Sequence, residues 1–349
     1  MSRDNKDLNQ SNKKRKSFLK RLGVPHHEHW PWWVLVAPFW PIWIWYGIRL
    51  KNFTWFTAVN PGIEDGGFMG ESKKAILNII PLDVLPRTYY IDDDNSFEDV
   101  KAKLDLEFPL IAKPDVGGRG RRVEVIKNME SLDAYNQSLN EDFMVQEMIH
   151  FPLELGVFFT KLPNEEKGQV TSITSKGFLQ VEGDGDSSIA ELMTHNERAL
   201  KHKERIDTFL DTSRVPNRGE LVILEPIGNH VLGTKFINES HRISDQIHEV
   251  FNNIVSRIDG FYYGRFDLKV SSWEDLEQDK NISILELNGL TSDVTHIFDT
   301  NFPTEDVFRV QYAHIKKAFK IANYNLKAGV KTTPLIELAR KTFGAIRDM

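Results

Sequence analysis

Beyond residue 52 short apolar runs alternate with amphipathic segments, the pattern of a chain in which strands and helices are mixed. Three helices stand out. Ser244 opens one whose apolar positions Ile247, Val250, Phe251, Ile254, Val255 and Ile258 fall on a single face, and Gly260 ends it. Ser188 and Glu191 have capping-box spacing ahead of a second, and Thr333-Pro334 starts a last amphipathic helix with Leu335, Leu338 and Ile346 facing inward. A period of two marks Tyr263–Val270 as a strand with Arg265, Asp267 and Lys269 on one face and Phe266 and Leu268 on the other. In Ile282–Gly289, Glu286 and Asn288 likewise share a face, and the charged stretch between the two strands is long enough for an antiparallel return. A third apolar run ends at Lys113, passes through Gly117, Gly118 and Gly120, and resumes at Val123, which predicts a hairpin flap.

The first 52 residues follow another pattern. Trp30–Ile48 carries no charge, and seven of the eight tryptophans lie between Trp30 and Trp55. Pro38 and Pro41 interrupt it, and basic residues flank both ends (Lys20 and Arg21, then Arg49 and Lys51). A helix-break-helix hairpin dipping into one leaflet from the cytoplasmic side satisfies both features. The competing reading is a buried helical layer. Residues 1–24 hold eight Lys/Arg against two Asp/Glu, in a chain whose net charge is −6. A tail of that kind, lacking a fixed fold, suits an anionic membrane surface. Nucleic acid is not expected, since the remainder is acidic and no recognition module accompanies the tail. A cleavable signal peptide is not expected either, because prolines break the apolar run and no small-residue cleavage site follows it. His26, His27 and His29 read as a polar boundary to this segment rather than a metal site.

With 349 residues, 40% of them hydrophobic, the chain can bury two cores, and the absence of Cys excludes disulfides, iron–sulfur clusters, thiolate zinc and thiol nucleophiles. The most informative segment for chemistry is Phe108–Ile126. Glycines at 117, 118 and 120 let backbone N–H groups approach phosphate oxygens while Lys113 supplies a fixed cation. A strand rather than a helix follows the loop, so neither the Walker nor the Rossmann pattern is present. Asp267, Glu286 and Asn288 offer the oxygen ligands that suit Mg²⁺, and carboxylates inside apolar strands are costly without a role. The plain alternatives are a glycine-rich hairpin and a pair of surface acids. Asp184–Ser188 only imitates a calcium loop, because Ile189 and His195 stand where Gly and Glu are required.

In order and spacing these residues resemble the ATP-grasp superfamily, in particular its D-alanine:D-alanine-ligase-like carboxylate-amine ligases, over roughly Gly70 to Phe302. Lys73 precedes Pro86 by 13 residues, as the first phosphate lysine does in these ligases, and Lys113 matches the second. Glu147 and Glu154 resemble the acids near adenine and ribose, and Lys176 a further nucleotide-contacting lysine. Arg265, Asp267, Glu286 and Asn288 match the Arg-x-Asp and Glu-x-Asn elements that hold the transferring phosphate and metal ions. Two features depart from the family. Only about 20 residues separate the aromatic segment from Lys73, less than one βαβ unit of roughly 30, where the ligases carry a whole domain. Arg119, Arg121 and Arg122 replace a serine-rich flap.

The resemblance implies an α+β chain with an ATP-grasp fold, two subdomains clamping ATP, and a carboxylate attacking the γ-phosphorus to give an acylphosphate that an amine converts to an amide. Arg265 and Lys113 would act in catalysis. Lys73, Lys113, Gly117, Gly118, Gly120, Glu147, Glu154 and Lys176 would bind ATP. Asp267, Glu286 and Asn288 would hold Mg²⁺, or Mn²⁺ in its place. By position, the loop after the metal strand offers Asp293 and His296 to the substrate, among Thr291, Ser292 and Thr295. The expected organisation is a basic tail (1–24), a membrane-associating segment (25–52), a lead-in (53–95), a small subdomain with the flap (96–160), a large subdomain with the metal site (161–325) and a C-terminal helix (326–349). Partners are small or lipid-linked carboxylates and amines, at the cytoplasmic face of a membrane. The alternatives are a kinase-like phosphotransferase and a nucleotide-binding membrane scaffold without chemistry.

Overall fold

The alternating residues of eleven strands build antiparallel sheets in the computed structural model, which describes residue 27 and residues 30–68, 70–118, 120–225 and 234–348. In chain order the elements are α1 (Trp32–Val36), α2 (Trp40–Leu50), α3 (Lys73–Leu77), β1 (Thr88–Ile91), α4 (Phe97–Lys103), β2 (Leu110–Pro114), β3 (Glu124–Ile126), α5 (Met129–Ser138), β4 (Phe143–Glu147), β5 (Leu153–Thr160) and β6 (Gln169–Gly177). There follow β7 (Gln180–Glu182), α6 (Ile189–Met193), α7 (Glu197–Lys201), α8 (Lys203–Ile206), β8 (Leu221–Ile223), β9 (Lys235–Asn238), α9 (Asp245–Ser256), β10 (Tyr263–Val270), α10 (Trp273–Glu277), β11 (Ile282–Asn288), α11 (Thr304–Lys327) and α12 (Leu335–Asp348). The smaller of the two main sheets has the order β1-β4-β2-β3, the larger β11-β10-β5-β6-β9, and β7 pairs with β8 apart from both. Every pairing is antiparallel, so the chain is α+β, as expected. Sheet membership divides the chain differently from boundaries at 96 and 160, since β1 lies in the smaller sheet and β5 in the larger.

The larger sheet has two unlike faces. On one, Leu155, Val157, Phe159, Ile173, Phe266 and Leu268 pack against Ile247, Val250, Phe251, Ile254 and Val255 of α9. Ser244 caps that helix by accepting from the Ile247 N–H, and the stripe buried is the one the sequence marked out. The other face carries Glu154, Gly156, Ser172, Thr174, Lys176, Arg265, Asp267, Lys269, Glu286 and Asn288, which is where the chemistry gathers.

The lead-in is tied to this sheet through Asn60, which is fully buried. Its Oδ1 accepts from the Tyr262 and Tyr263 N–H groups at 2.9 Å each, and its Nδ2 donates to Gly66 O at 3.0 Å and Tyr263 O at 2.8 Å. Gly66 and Gly67 in turn receive the Leu290 and Thr291 N–H groups, fixing the loop after β11. Asn60→Ala would remove four hydrogen bonds to backbone groups, of which the Gly66 carbonyl keeps its bond from the Leu290 N–H, and a loss of about 3 kcal/mol of unfolding free energy is expected in denaturant titration.

The aromatic segment corrects one expectation. No break separates two helices: Val36, Ala37, Phe39 and Trp40 all keep right-handed helical dihedrals, with a 3-10 turn joining α1 to α2. Pro38 and Pro41 stand in the first positions of the 3-10 turn and of α2, where the missing N–H would have had no partner. The inner face is a packed layer. Tyr46 stacks on Phe319 of α11 at 3.8 Å, Trp43 stacks on Trp55 at 4.8 Å, and Leu35 joins Ile297 and Val307. The outer face, with Trp40, Ile44, Trp45 and Ile48, is exposed. Among the described residues no helix is long and apolar enough to cross a membrane. His27 is buried and hydrogen-bonded to Thr304 Oγ1 and Ile297 O, while the expectations for residues 1–24, His26 and His29 lie outside the described residues.

The last helix also differs from its expected orientation. Leu338 is buried, but Leu335 is 61% exposed; α12 is held through Lys341 to Glu64 and Asp65, and Leu338 is the one fully buried side chain among those of α12 that are described. The side chain of Ile346 lies outside those described. Asp184 forms a turn with the Asp186 and Ser187 N–H groups before the Ser188–Glu191 capping box, as the sequence indicated.

Candidate functional site

β10 and β11 pair with Arg265 opposite Asn288 and Asp267 opposite Glu286, so the four residues singled out from the two strands share one face. The register then shifts, with Leu268 opposite Ile284, and Leu285 is left as the extra residue of a bulge. Its carbonyl accepts a hydrogen bond from Lys113 Nζ at 3.2 Å. A cation from the smaller sheet is thereby brought beside the carboxylates of the larger one.

Arg265 grips Asp267 through two bonds, Nε to Oδ1 at 2.7 Å and Nη2 to Oδ2 at 3.2 Å. Lys176 stands 2.8 Å from Glu154 and 3.7 Å from Asp267. These side chains are nearly all buried. Burial would raise the Asp267 carboxyl, but Arg265 and Lys176 outweigh it and hold the group below the usual carboxylate range. Burial likewise opposes the charges of Lys176 and Arg265, yet Asp267 and Glu154 hold Lys176 well above its ordinary value, and Asp267 holds Arg265 above its own. Gly156 forms the floor: a Cβ there would lie 3.3 Å from Arg265 Cδ and 3.4 Å from Asp267 Oδ1. Lys269, from the same strand face, donates to Ile149 O at 3.0 Å.

Lys113, on β2, has its ammonium against Gln146 Oε1 at 3.0 Å, and Gln146 Nε2 is fixed by Thr88 Oγ1 at 2.9 Å. Burial lowers Lys113 to about 8, with Glu286 opposing the shift and Lys73 adding to it. Lys73 supports the flap from below, donating to Pro114 O, Asp115 O and Gly117 O at 3.0, 3.1 and 2.7 Å. Burial lowers its affinity for a proton, against the pull of Glu286, Asp115 and Glu71. A Cβ at Gly117 or Gly118 would meet nothing within 4 Å, and Gly117 and Gly120 have φ of 138° and 72°. The loop is therefore open on its outer side, and Gly117 and Gly120 occupy backbone conformations that favour glycine. Arg122 is paired with Glu141 at 2.5 Å, away from the cleft carboxylates, and Arg119 lies outside the described residues.

Three of the singled-out residues take other positions, Glu147 on the surface, Asp293 beside Arg265 and His296 beneath the loop. Glu147, at the end of β4, accepts from Arg87 N and Nε at 3.4 Å on the surface. Asp293 contributes its backbone carbonyl to Arg265 Nη1 at 3.0 Å, and its charge is felt by Arg265 and Tyr263. His296 is buried, with Nδ1 2.7 Å from Ser172 Oγ and its ring edge on Phe302, and desolvation pushes it down to about 4. It is thus neutral at pH 7 and pins the loop to β6, together with Thr295 Oγ1 on Thr174 Oγ1 at 2.9 Å. Gln146, Asp115 and the Leu285 carbonyl were not foreseen. A glutamine within a buried apolar strand was the one signal available, since an unpartnered amide there is costly.

A divalent cation was also tested against these residues. No group of three or more His, Asp or Glu with metal-binding geometry occurs among the described residues. The set present is two carboxylates and an amide, which suits Mg²⁺ completed by water and phosphate. The Glu286 side chain makes no hydrogen bond or ion pair among the described residues, and Asn288 has a buried side-chain Nδ2 without a partner. Rotating that amide would put Oδ1 in the unpartnered place, an oxygen of the kind a cation takes. Asp267 would have to share its oxygens with Arg265.

No protein-family pattern matches the chain, and no curated protein sequence does. Among solved structures the chain is similar to a D-alanine–D-alanine ligase from Bacillus anthracis, with 14% identity, a TM-score of 0.40, and coverage of 72% of this chain and 68% of that one. It is similar to a D-alanine–D-alanine ligase from Helicobacter pylori, with 12% identity, a TM-score of 0.37, and coverage of 71% and 60%. It is similar also to a bifunctional glutathione synthetase from Pasteurella multocida, with 16% identity, a TM-score of 0.36, and coverage of 69% and 36%. The chain thus spans from 36% to 68% of the length of these structures.

Proposed function

We propose that the chain is an ATP-dependent carboxylate-amine ligase in which the two main sheets clamp the nucleotide and the glycine flap covers its phosphates. The observation that carries this reading is the meeting of Lys113 with the bulged β10–β11 pair. ATP and a carboxylate repel each other, and Lys73, Lys113 and Arg265 gather positive charge where they would approach. The flap excludes water that would hydrolyse an acylphosphate. Asp267, Glu286 and Asn288 would hold Mg²⁺, which when bound neutralises phosphate oxygens. In this reading Glu154 would meet the ribose hydroxyls, Glu147 would lie near adenine, and Lys176 would be a further contact to the nucleotide. Screening carboxylates and amines for stimulated ADP release tests the reading. An amide product requiring both substrates supports it, and a stable phosphorylated product formed without an amine would replace it with phosphotransfer.

Lys113 gives a pH dependence. Its ammonium loses its charge as pH rises through about 8, so the free enzyme offers ATP one cation fewer above that pH. The KM for ATP is expected to rise above pH 8 and stay level between pH 6 and 7.5, as initial rates against ATP concentration will show. The aromatic segment is read as a membrane-surface attachment. The exposure of Trp33, Trp40 and Trp45 supports that reading, since indole prefers the lipid–water boundary.

A further inference from the structure

The outward side of the aromatic segment does not end with α2. Gly47 lies against the Phe53 ring, a Cβ there falling 2.9 Å from Phe53 Cδ1, so Phe53 extends the exposed surface of the helix. The preceding residue links it to the C-terminal segment, because Asn52 Nδ2 donates to Thr332 Oγ1 at 2.8 Å, three residues before α12 begins. That helix exposes Ile336 and Phe343, seven residues apart and on one face, at 77% and 74%. Apolar surface of this kind is normally buried or used.

A run of lysines borders this surface, while α12 itself carries Glu337 beside Ile336, paired with Lys341. From His314 to Ile336 the chain has Lys316, Lys317, Lys320, Lys327 and Lys331 and no Asp or Glu, in a protein whose overall charge is −6. Phe319, within that run, stacks on Tyr46, so the lysines of α11 border α2 directly. Tyr312, Lys316, Lys320 and Tyr324 recur at four-residue intervals on the exposed side of α11. Long cationic stems and tyrosines beside exposed tryptophans form the composition of a helix lying in a lipid headgroup region.

We propose that α2, the lysine face of α11 and the outer face of α12 form one docking surface for an anionic bilayer, engaged in the plane of the headgroups. This rests on the attachment reading of residues 30–52 and adds to it two further elements, widely separated in sequence. A second copy of the chain is the competing occupant. Its surface would have to meet an identical lysine row, which repels itself, whereas an anionic headgroup layer neutralises the row.

Flotation of the full chain with phosphatidylcholine vesicles, with and without phosphatidylglycerol, tests this. The wild type is expected to float with the anionic vesicles and to release with added salt. Trp40→Ser/Trp45→Ser, Lys316→Glu/Lys320→Glu and Ile336→Ser/Phe343→Ser are each expected to weaken binding about tenfold or more. Circular dichroism and unchanged thermal unfolding keep folding failures apart. Loss with the tryptophan pair and none with the Ile336/Phe343 pair would leave the attachment of residues 30–52 standing and overturn the extended surface. Absence of flotation by the wild type overturns both, and a dimer in analytical ultracentrifugation that the tryptophan pair dissociates would assign the face to self-association.

Discussion

Glu286→Gln is expected to lower ATP turnover about 10²–10³-fold while leaving thermal unfolding unchanged. The expectation follows from how differently the two carboxylates of the β10–β11 pair are held. The Glu286 side chain makes no hydrogen bond or ion pair among the described residues, and its charge reaches Lys73, Lys113 and Arg265. Replacing it with the isosteric amide breaks no side-chain hydrogen bond or ion pair among the described residues and removes a carboxylate whose oxygens are free for a cation. It also takes away the acid that sustains the charge of Lys113, so the ammonium should titrate at lower pH and the rise in KM for ATP should begin earlier. Steady-state ADP release with the activating substrates, beside calorimetric unfolding of both proteins, checks the two halves together.

Asp267→Asn is expected to destabilise the fold by about 3–5 kcal/mol as well as to abolish turnover. Both carboxylate oxygens are engaged by Arg265, and Lys176 is 3.7 Å away, so the substitution leaves two buried cations short of their counter-charge. Removal of Glu286 is therefore expected to spare the fold, and removal of Asp267 is not. Acid sensitivity separates the effects further. Burial alone would raise the Asp267 carboxyl, but Arg265 and Lys176 keep it below its unfolded value near ~4. The folded state then binds fewer protons than the unfolded one, so this stabilisation is present above that pH and is lost as pH falls toward the folded pKa. Wild-type stability should drop more steeply than that of Asp267→Asn below pH ~4, in unfolding curves taken across that range.

The site was legible where its logic is local. A period of two is enough to put Arg265 with Asp267, and Glu286 with Asn288, on common faces, and the charged connection announces the antiparallel return. The stripe of α9 was equally plain. What escaped was built from backbone or from distant partners: the Leu285 carbonyl is offered by a bulge that no residue type signals, and Lys73 meets carbonyls of Pro114, Asp115 and Gly117 rather than side chains. Asn60 reaches residues some 200 positions away. His296 could be placed just after β11 by position, but its burial against Ser172 and Phe302 depends on packing across elements. The prolines of the aromatic segment misled for a physical reason, since a proline ends a helix from within and merely begins one from its first turn.

The central claim is that acids of the larger sheet and lysines tied to the glycine flap together hold a metal-bound triphosphate. Isothermal titration of the full chain with ATP at pH 7, with and without Mg²⁺, tests it most directly. Saturable one-to-one binding that requires Mg²⁺ and collapses in Glu286→Gln is the expected result. No binding, or binding that is indifferent to both the cation and Glu286, would contradict it.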